Sequence, residues 1–164
     1  MQLTSDQTKR FYHIWFSLLR FTNQKRKIVK EALLLKESLN PNDAALVRDV
    51  LWSDDRLLEE FVRENPVGLC DADIAVVRSW RRRVSGRFLI VKHLKKNSIL
   101  VSGESSDAGA PKVYGVVGLN CPLKELLFDL PCMINATLIP FEGKITYDSL
   151  FTCFPVQFGR NITG

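Results

Sequence analysis

The sequence lacks several features that would point to a specific class of protein. It has only two histidines and four cysteines, and no cysteines form a Cys-x-x-Cys pair. Structural zinc sites usually take their ligands in close pairs, so we interpret the cysteines as reduced packing residues and predict neither metal nor cofactor. No stretch matches a catalytic or nucleotide-binding motif with useful specificity, and we predict no catalytic residues.

Long apolar runs are also missing. No segment approaches the ~20 apolar residues that a membrane-spanning helix needs, and the N-terminus, MQLTSDQTKRFYHIW, lacks the basic-then-apolar order of a secretion signal. We therefore expect a cytoplasmic protein without a membrane partner. The apolar fraction of 46% and the charged fraction of 25% are typical of a globular chain that folds on its own.

Acidic residues are absent from one long stretch. Neither Asp nor Glu occurs from Ile74 to Gly103, and the run RSWRRRVSGRFLIVKHLKK, residues 78–96, carries eight Arg or Lys residues. Residues 1–86 hold fifteen basic and twelve acidic side chains, and residues 87–164 hold eight and six. The net charge of +5 is thus spread over both halves, and the strong excess of basic over acidic residues is confined to this run.

The first half of the chain has the apolar spacing of helices, and the second half has short β-type runs. The predicted helices cover Thr4 to about Thr22, residues 23 to about Leu39 as a continuation or a second helix, a start at Asn40-Pro41, a start at Ser53, and Asp71 to Ser85-Gly86. The predicted strands are RFLIVKHL, SILVSG, KVYGVVGL and the two halves of ATLIPFEGKITYDSLF around a tight turn at Glu142-Gly143. A short helix is expected between Asn120 and Asp129, and a polar loop from Gly103 to Pro111.

These patterns predict an α+β fold. Four or five N-terminal helices pack on a C-terminal, mostly antiparallel sheet of five or six strands, and such short strands often close into a small β-barrel. We expect a helical part, residues 1–86, and a β-rich part, residues 87–164, that form one compact unit with a shared core. The sequence carries no signal for the oligomeric state.

The basic run at the joint between the two parts is the main candidate site. A helix end and a hairpin turn that project to the same side would form a cationic surface for phosphate groups, since Arg offers a bidentate fork and Lys a point charge. The candidate residues are Arg78, Arg82, Arg83, Arg87, Lys92, Lys95 and Lys96. We expect a non-enzymatic protein that binds nucleic acid, RNA in particular, or another phosphate-rich partner. A solvated face, partly neutralised by Glu59, Glu60 or Asp54, is the competing interpretation of the same residues.

Two other functions stay open. One is a protein-interaction or regulatory module that docks a partner on a sheet edge or an apolar helix face. The other is an enzyme whose site uses Arg87, His93, Glu142 or Asp148. A thiol nucleophile with His93 as base is disfavoured, because Cys132 and Cys153 stand in apolar surroundings that are expected to bury a thiol and lower its reactivity.

Three segments carry a resemblance to known sequences: SWRRRVSGRFLIVKHLKK, VYGVVGL and IPFEGKITYDSL. The chain from Phe11 to Gly159 resembles a family of uncharacterised bacterial proteins, chiefly from Firmicutes. The resemblance implies that these segments form the shared part, and it brings no activity, substrate or fold. Members of that family continue past the position of Phe158-Gly159, which implies a further tail.

Overall fold

A computed structural model describes residues 2–30, 40–102, 112–119, 121–127 and 131–155 of the chain. The chain divides into two compact units, one of residues Asp6–Arg82 and one of Met1–Ser5 with Arg83–Gly164. The first unit is helical and the second is a five-stranded ring, so the predicted α+β class is confirmed. That the two units share one core stays a prediction.

The helical unit contains four α-helices and a short 3-10 helix in the part that the structure describes. They are α1 (Ser5–Arg26), α2 (Pro41–Ser53), α3 (Asp55–Glu64), α4 (Asp71–Ser79) and the 3-10 helix Trp80–Arg82. The predicted start at Asn40-Pro41 is confirmed, because Asn40 Oδ1 accepts a hydrogen bond of 2.8 Å from the backbone N–H of Asn42. The predicted second helix lies largely outside the described residues, and α1 itself ends at Arg26.

Aromatic side chains fill the core of the helical unit. Trp15 is fully buried, with its ring stacked on Trp52 at 5.6 Å between centroids and edge-on to Trp80 at 6.0 Å. Phe11 packs against Trp80 at 5.8 Å. Aromatic pairs at these separations stabilise a core beyond the area that they bury, so the three tryptophans act as packing residues.

The second unit is a closed barrel with the strand order β1-β2-β3-β5-β4, in which β4 returns to pair with β1. Its strands are β1 (Val84–His93), β2 (Ser98–Ser102), β3 (Val113–Val116), β4 (Cys132–Phe141) and β5 (Lys144–Pro155). All neighbours are antiparallel except β3 and β5, which run parallel where Val116 meets Ile145. A four-residue helix, α5 (Leu123–Leu126), lies between β3 and β4.

The predicted end of the last helix at Ser85-Gly86 is wrong. The helix α4 ends at Ser79, and the chain passes through the 3-10 turn into β1 at Val84. Val84 lies opposite Leu138 of β4, and the pairing continues without a break to Ile90. Strand pairing with a distant segment therefore overrides the local helical period, and Arg82 and Arg83 do not share a helix face with Arg78.

Candidate nucleic-acid interface

The structure divides the seven candidate cations between the two units. Arg78 on α4 and Arg82 at the end of the 3-10 helix are exposed residues of the helical unit. The other five belong to the barrel unit: Arg83, Arg87, Lys92, Lys95 and Lys96. A single surface formed by all seven stays a prediction.

A β-bulge in β1 determines the directions in which the side chains of Lys92 and His93 point. The register shifts between Ile90 and Lys92, so that Ile90 faces Leu100 of β2 while Lys92 faces Ile99. One extra residue, Val91, reverses the alternation of inward and outward side chains beyond it. Lys92 is consequently exposed, whereas His93 faces the buried Ser98.

Both ring nitrogens of His93 have hydrogen-bond partners inside the barrel unit. Its Nε2 lies 2.7 Å from the carbonyl oxygen of Leu127, and its Nδ1 lies 2.6 Å from Oγ of Ser98. A carbonyl oxygen only accepts, so Nε2 carries a proton and donates. The ring therefore links β1, β2 and the residue after α5, which is a structural role.

The turn between β1 and β2 borders a cleft of about 390 Å³ on the barrel. Its other border is the β4–β5 turn, where Gly143 has a φ of 75° and Glu142 a φ of 52°, as expected for a tight turn. The cleft is lined by Lys96, Asn97, Gly115, Val117, Gly143, Lys144 and Ile145. Lys96 thus shares the lining of this cleft with a second lysine, Lys144, which the sequence analysis missed.

The two lysines give the cleft a positive charge. Neither ammonium group has a salt-bridge partner among the residues that the structure describes. The barrel unit as a whole contains nine basic and six acidic residues. Lysine is a point charge with three donors, so this pair suits the oxygen atoms of a phosphate group.

Asn97 is a polar residue in the lining of the cleft. Its side-chain oxygen, Oδ1, is buried and has no hydrogen-bond partner within the described part of the chain. A buried acceptor without a donor carries a desolvation cost of about 1–3 kcal/mol. A ligand whose hydroxyl or N–H group reached this oxygen would remove that cost.

The helical unit has a separate, larger cleft of about 610 Å³. Leu58 and Val62 of α3 form its apolar part, and arginine side chains surround them. The charged lining residues are Glu59, Arg63, Arg78 and Arg81. Only Arg78 among these belongs to the predicted set.

Partial neutralisation of the basic run is confirmed for one of the three predicted acids. Glu59 lies 3.3 Å from Arg81, and both side chains are about half exposed. An ion pair in that setting contributes little to stability because water and salt screen it. Asp54 instead binds Arg26 and Arg56, so it does not neutralise the run.

Three residues of the enzyme hypothesis, Arg87, Glu142 and Asp148, take different positions in the barrel unit. Arg87 is exposed and lies opposite Asn135, and Glu142 is at the tip of the β4–β5 turn. Asp148 is completely buried within β5, where its Oδ1 accepts a hydrogen bond of 3.2 Å from the backbone N–H of Leu150. From Lys144 beside the turn to Asp148 the strand rises about 13 Å, which is too far for Glu142 and Asp148 to act as a carboxylate pair.

No family model, curated protein or solved structure matches the chain. The resemblance to a family of bacterial proteins therefore stays a prediction. In the described ranges, no helix combines the length and low charge that crossing a bilayer requires. The same ranges contain no group of three or more His, Cys, Asp or Glu side chains that could hold a metal ion.

Proposed function

We propose that this chain binds single-stranded RNA, with the sugar-phosphate backbone lying in the barrel cleft between Lys96 and Lys144. The observation that carries the proposal is the cleft itself, which is lined by two lysines together with Asn97, whose side-chain oxygen is a buried acceptor without a partner among the described residues. The lysines bind phosphate oxygens. The Asn97 oxygen accepts a hydrogen bond from a 2′-hydroxyl, the group that distinguishes RNA from DNA.

The strand order of the barrel supports the same site. The order β1-β2-β3-β5-β4, with a helix between β3 and β4, is that of the oligonucleotide-binding (OB) fold. Proteins with that fold bind their ligands across strands β2 and β3, between the β1–β2 and β4–β5 loops. The cleft lies between those two turns and reaches β3 at Gly115.

The lining of the cleft also indicates the mode of binding. None of its seven described lining residues is aromatic, so it offers no platform on which bases could stack. Contacts to phosphates position a nucleic acid without reading its sequence. We therefore expect weak sequence preference and strong dependence on salt. Lys92 and Lys95 are further exposed cations of the barrel unit.

The test is fluorescence anisotropy with labelled single-stranded RNA, single-stranded DNA of the same sequence, and duplex RNA, each over a range of salt concentrations. The variant Lys96→Glu/Lys144→Glu should bind RNA at least tenfold more weakly. Loss of two phosphate contacts should reduce the slope of log K against log salt by about 1.4. Asn97→Ala should reduce the preference for RNA over DNA while leaving the salt slope unchanged.

A charge-matched control lies in the other unit. Arg63→Glu/Arg78→Glu changes the net charge of the chain by the same amount at a cleft that the proposal does not use. Equal losses for the two double variants would show that binding follows total charge. An unchanged affinity in Lys96→Glu/Lys144→Glu would rule out the barrel cleft as the site.

A second candidate function is docking of an acidic protein segment in the helical cleft. Its lining combines the apolar residues Leu58 and Val62 with three arginines and one glutamate, which matches a helix that carries leucines on one face and carboxylates beside them. A labelled synthetic peptide of that pattern should bind the wild-type chain and should lose binding in Arg63→Glu/Arg78→Glu. If that variant still bound the peptide, the helical cleft would be excluded as the docking site.

A further inference from the structure

Two cysteine thiols meet across neighbouring strands of the barrel. The Sγ atoms of Cys132 on β4 and Cys153 on β5 are 2.9 Å apart. Cys132 lies opposite Pro155, and Cys153 lies opposite Ile134, so the two cysteines are diagonal neighbours on paired strands. Their sulfur atoms are within 1 Å of the disulfide bond length of about 2.05 Å, and a small rotation of the side chains closes that gap.

The two thiols differ in access to solvent. The burial expected from the sequence is confirmed for Cys132, which is 6% exposed, and is wrong for Cys153, which is exposed. Reactivity of a thiol towards reagents in solution depends on access, so a reagent meets Cys153 first. Cys132 is then placed to attack the sulfur atom of a modified Cys153. This is the arrangement of an exposed attacking cysteine with a resolving cysteine beside it.

We propose that Cys132 and Cys153 form a reversible disulfide by exchange with a low-molecular-weight disulfide. In the first step the Cys153 thiolate attacks one sulfur of the reagent, a mixed disulfide forms, and one small thiol leaves. In the second step the Cys132 thiolate attacks Sγ of Cys153, the Cys132–Cys153 bond forms, and the second small thiol leaves with its electron pair and takes up a proton. The protein loses two hydrogen atoms, and the reagent is reduced to two thiols.

The test is oxidation of the native full chain with oxidised glutathione, followed by alkylation in denaturant and digestion with trypsin. Each of the four cysteines falls in a different tryptic peptide, with Cys132 in Glu125–Lys144 and Cys153 in Ile145–Arg160. We expect these two peptides to be linked, and two of the four thiols to become resistant to alkylation until a reductant is added. Removal of Cys70 and Cys121 together by serine substitution should leave the link intact.

The order of attack predicts a difference between single variants. Cys132→Ala should accumulate a glutathione adduct on Cys153, because the resolving thiol is missing. Cys153→Ser, a change at an exposed position, should leave Cys132 without an adduct in the folded protein. The proposal is overturned by a stable adduct on Cys153 in the wild-type chain, by linkage of Cys153 to Cys70 or Cys121, or by failure of both thiols to react. It is also overturned if the chain unfolded in urea forms the Cys132–Cys153 link as readily as the native chain.

Discussion

The side chain of Asn97 lies directly over Gly115 on the outside of the barrel. A Cβ atom on Gly115 would stand 2.5 Å from Nδ2 of Asn97 and 2.9 Å from its Cγ. Gly115 faces Ile99 of β2, on the outer side of the sheet, so the missing side chain leaves room there for the amide. The absence of a side chain at Gly115 therefore leaves the space that the Asn97 amide occupies.

Gly115→Ala should displace Asn97 and weaken RNA binding by about fivefold, the effect of losing one hydrogen bond of about 1 kcal/mol. Its cost in folding free energy should be small, about 1 kcal/mol, because the obstacle is the end of a side chain. Urea denaturation of Gly115→Ala, Asn97→Ala and the double variant measures the coupling free energy between these two positions. The double variant should be no less stable than Asn97→Ala alone, since the clash is gone.

Gly118→Ala is the contrasting case for that experiment. A Cβ atom at Gly118 would overlap the backbone carbonyl oxygen of Cys121, which no side-chain substitution can move. We expect a larger loss of stability that Asn97→Ala does not relieve. Equal costs at the two glycines would contradict the assignment of Asn97 as the neighbour of Gly115.

Local features of the fold could be predicted because their causes are local. The Asn40 cap depends on residues two apart, and the Glu142-Gly143 turn depends on the positive φ that glycine permits. The order of the strands has no such local cause. The parallel contact of Val116 with Ile145 joins segments that no period in the sequence connects.

The candidate site was predicted in part for the same reason. Lys96 belongs to an obvious basic run, but Lys144 becomes its neighbour only when the barrel closes. The bulge at Val91 did leave a signal in the sequence. Phe88 and Ile90 alternate as inward residues, and the next inward position would be occupied by Lys92, so the charge at that position marks a break in the alternation.

His93→Ala should destabilise the barrel unit by about 2 kcal/mol, because it removes two hydrogen bonds and leaves the buried Ser98 hydroxyl without its partner. The measurement is chemical denaturation of His93→Ala, Ser98→Ala and the double variant. Because the two side chains share one hydrogen bond, we expect the double variant to lose less free energy of unfolding than the two single variants lose together. Additive losses would show that the bond contributes nothing.

Asp54 should make the helical unit sensitive to acid. This carboxylate caps α3 by accepting from the backbone N–H of Arg56 at 3.0 Å. Hydrogen bonds from the Arg56 side chain and backbone, and from Arg26, hold the pKa of Asp54 far below its usual value of 3.8. A carboxyl group with a lower pKa in the folded state stabilises that state fully at pH values above the unfolded pKa. The contribution is lost progressively as the pH falls from the unfolded pKa through the folded pKa.

Asp54→Asn isolates that effect, since asparagine is also a good N-cap. The variant should be less stable than the wild-type chain at pH 7, and the difference in Tm should shrink steadily from about pH 4 downwards. Introducing Arg56→Gln into both chains should reduce the difference at pH 7. A difference in Tm that does not change with pH would mean that the charge of Asp54 contributes nothing.

Formation of the Cys132–Cys153 disulfide should raise the stability of the barrel unit. The bond would close a loop of about 20 residues, which in the chain-entropy model stabilises the folded state by about 3 kcal/mol through restriction of the unfolded chain. Because the thiols already meet in the reduced protein, little of that gain should be lost to distortion. Thermal unfolding of oxidised and reduced protein, with Cys132→Ala treated identically, measures the gain. A higher Tm after oxidation in Cys132→Ala, or none in the wild-type chain, would show that the bond does not join these strands in their native pairing.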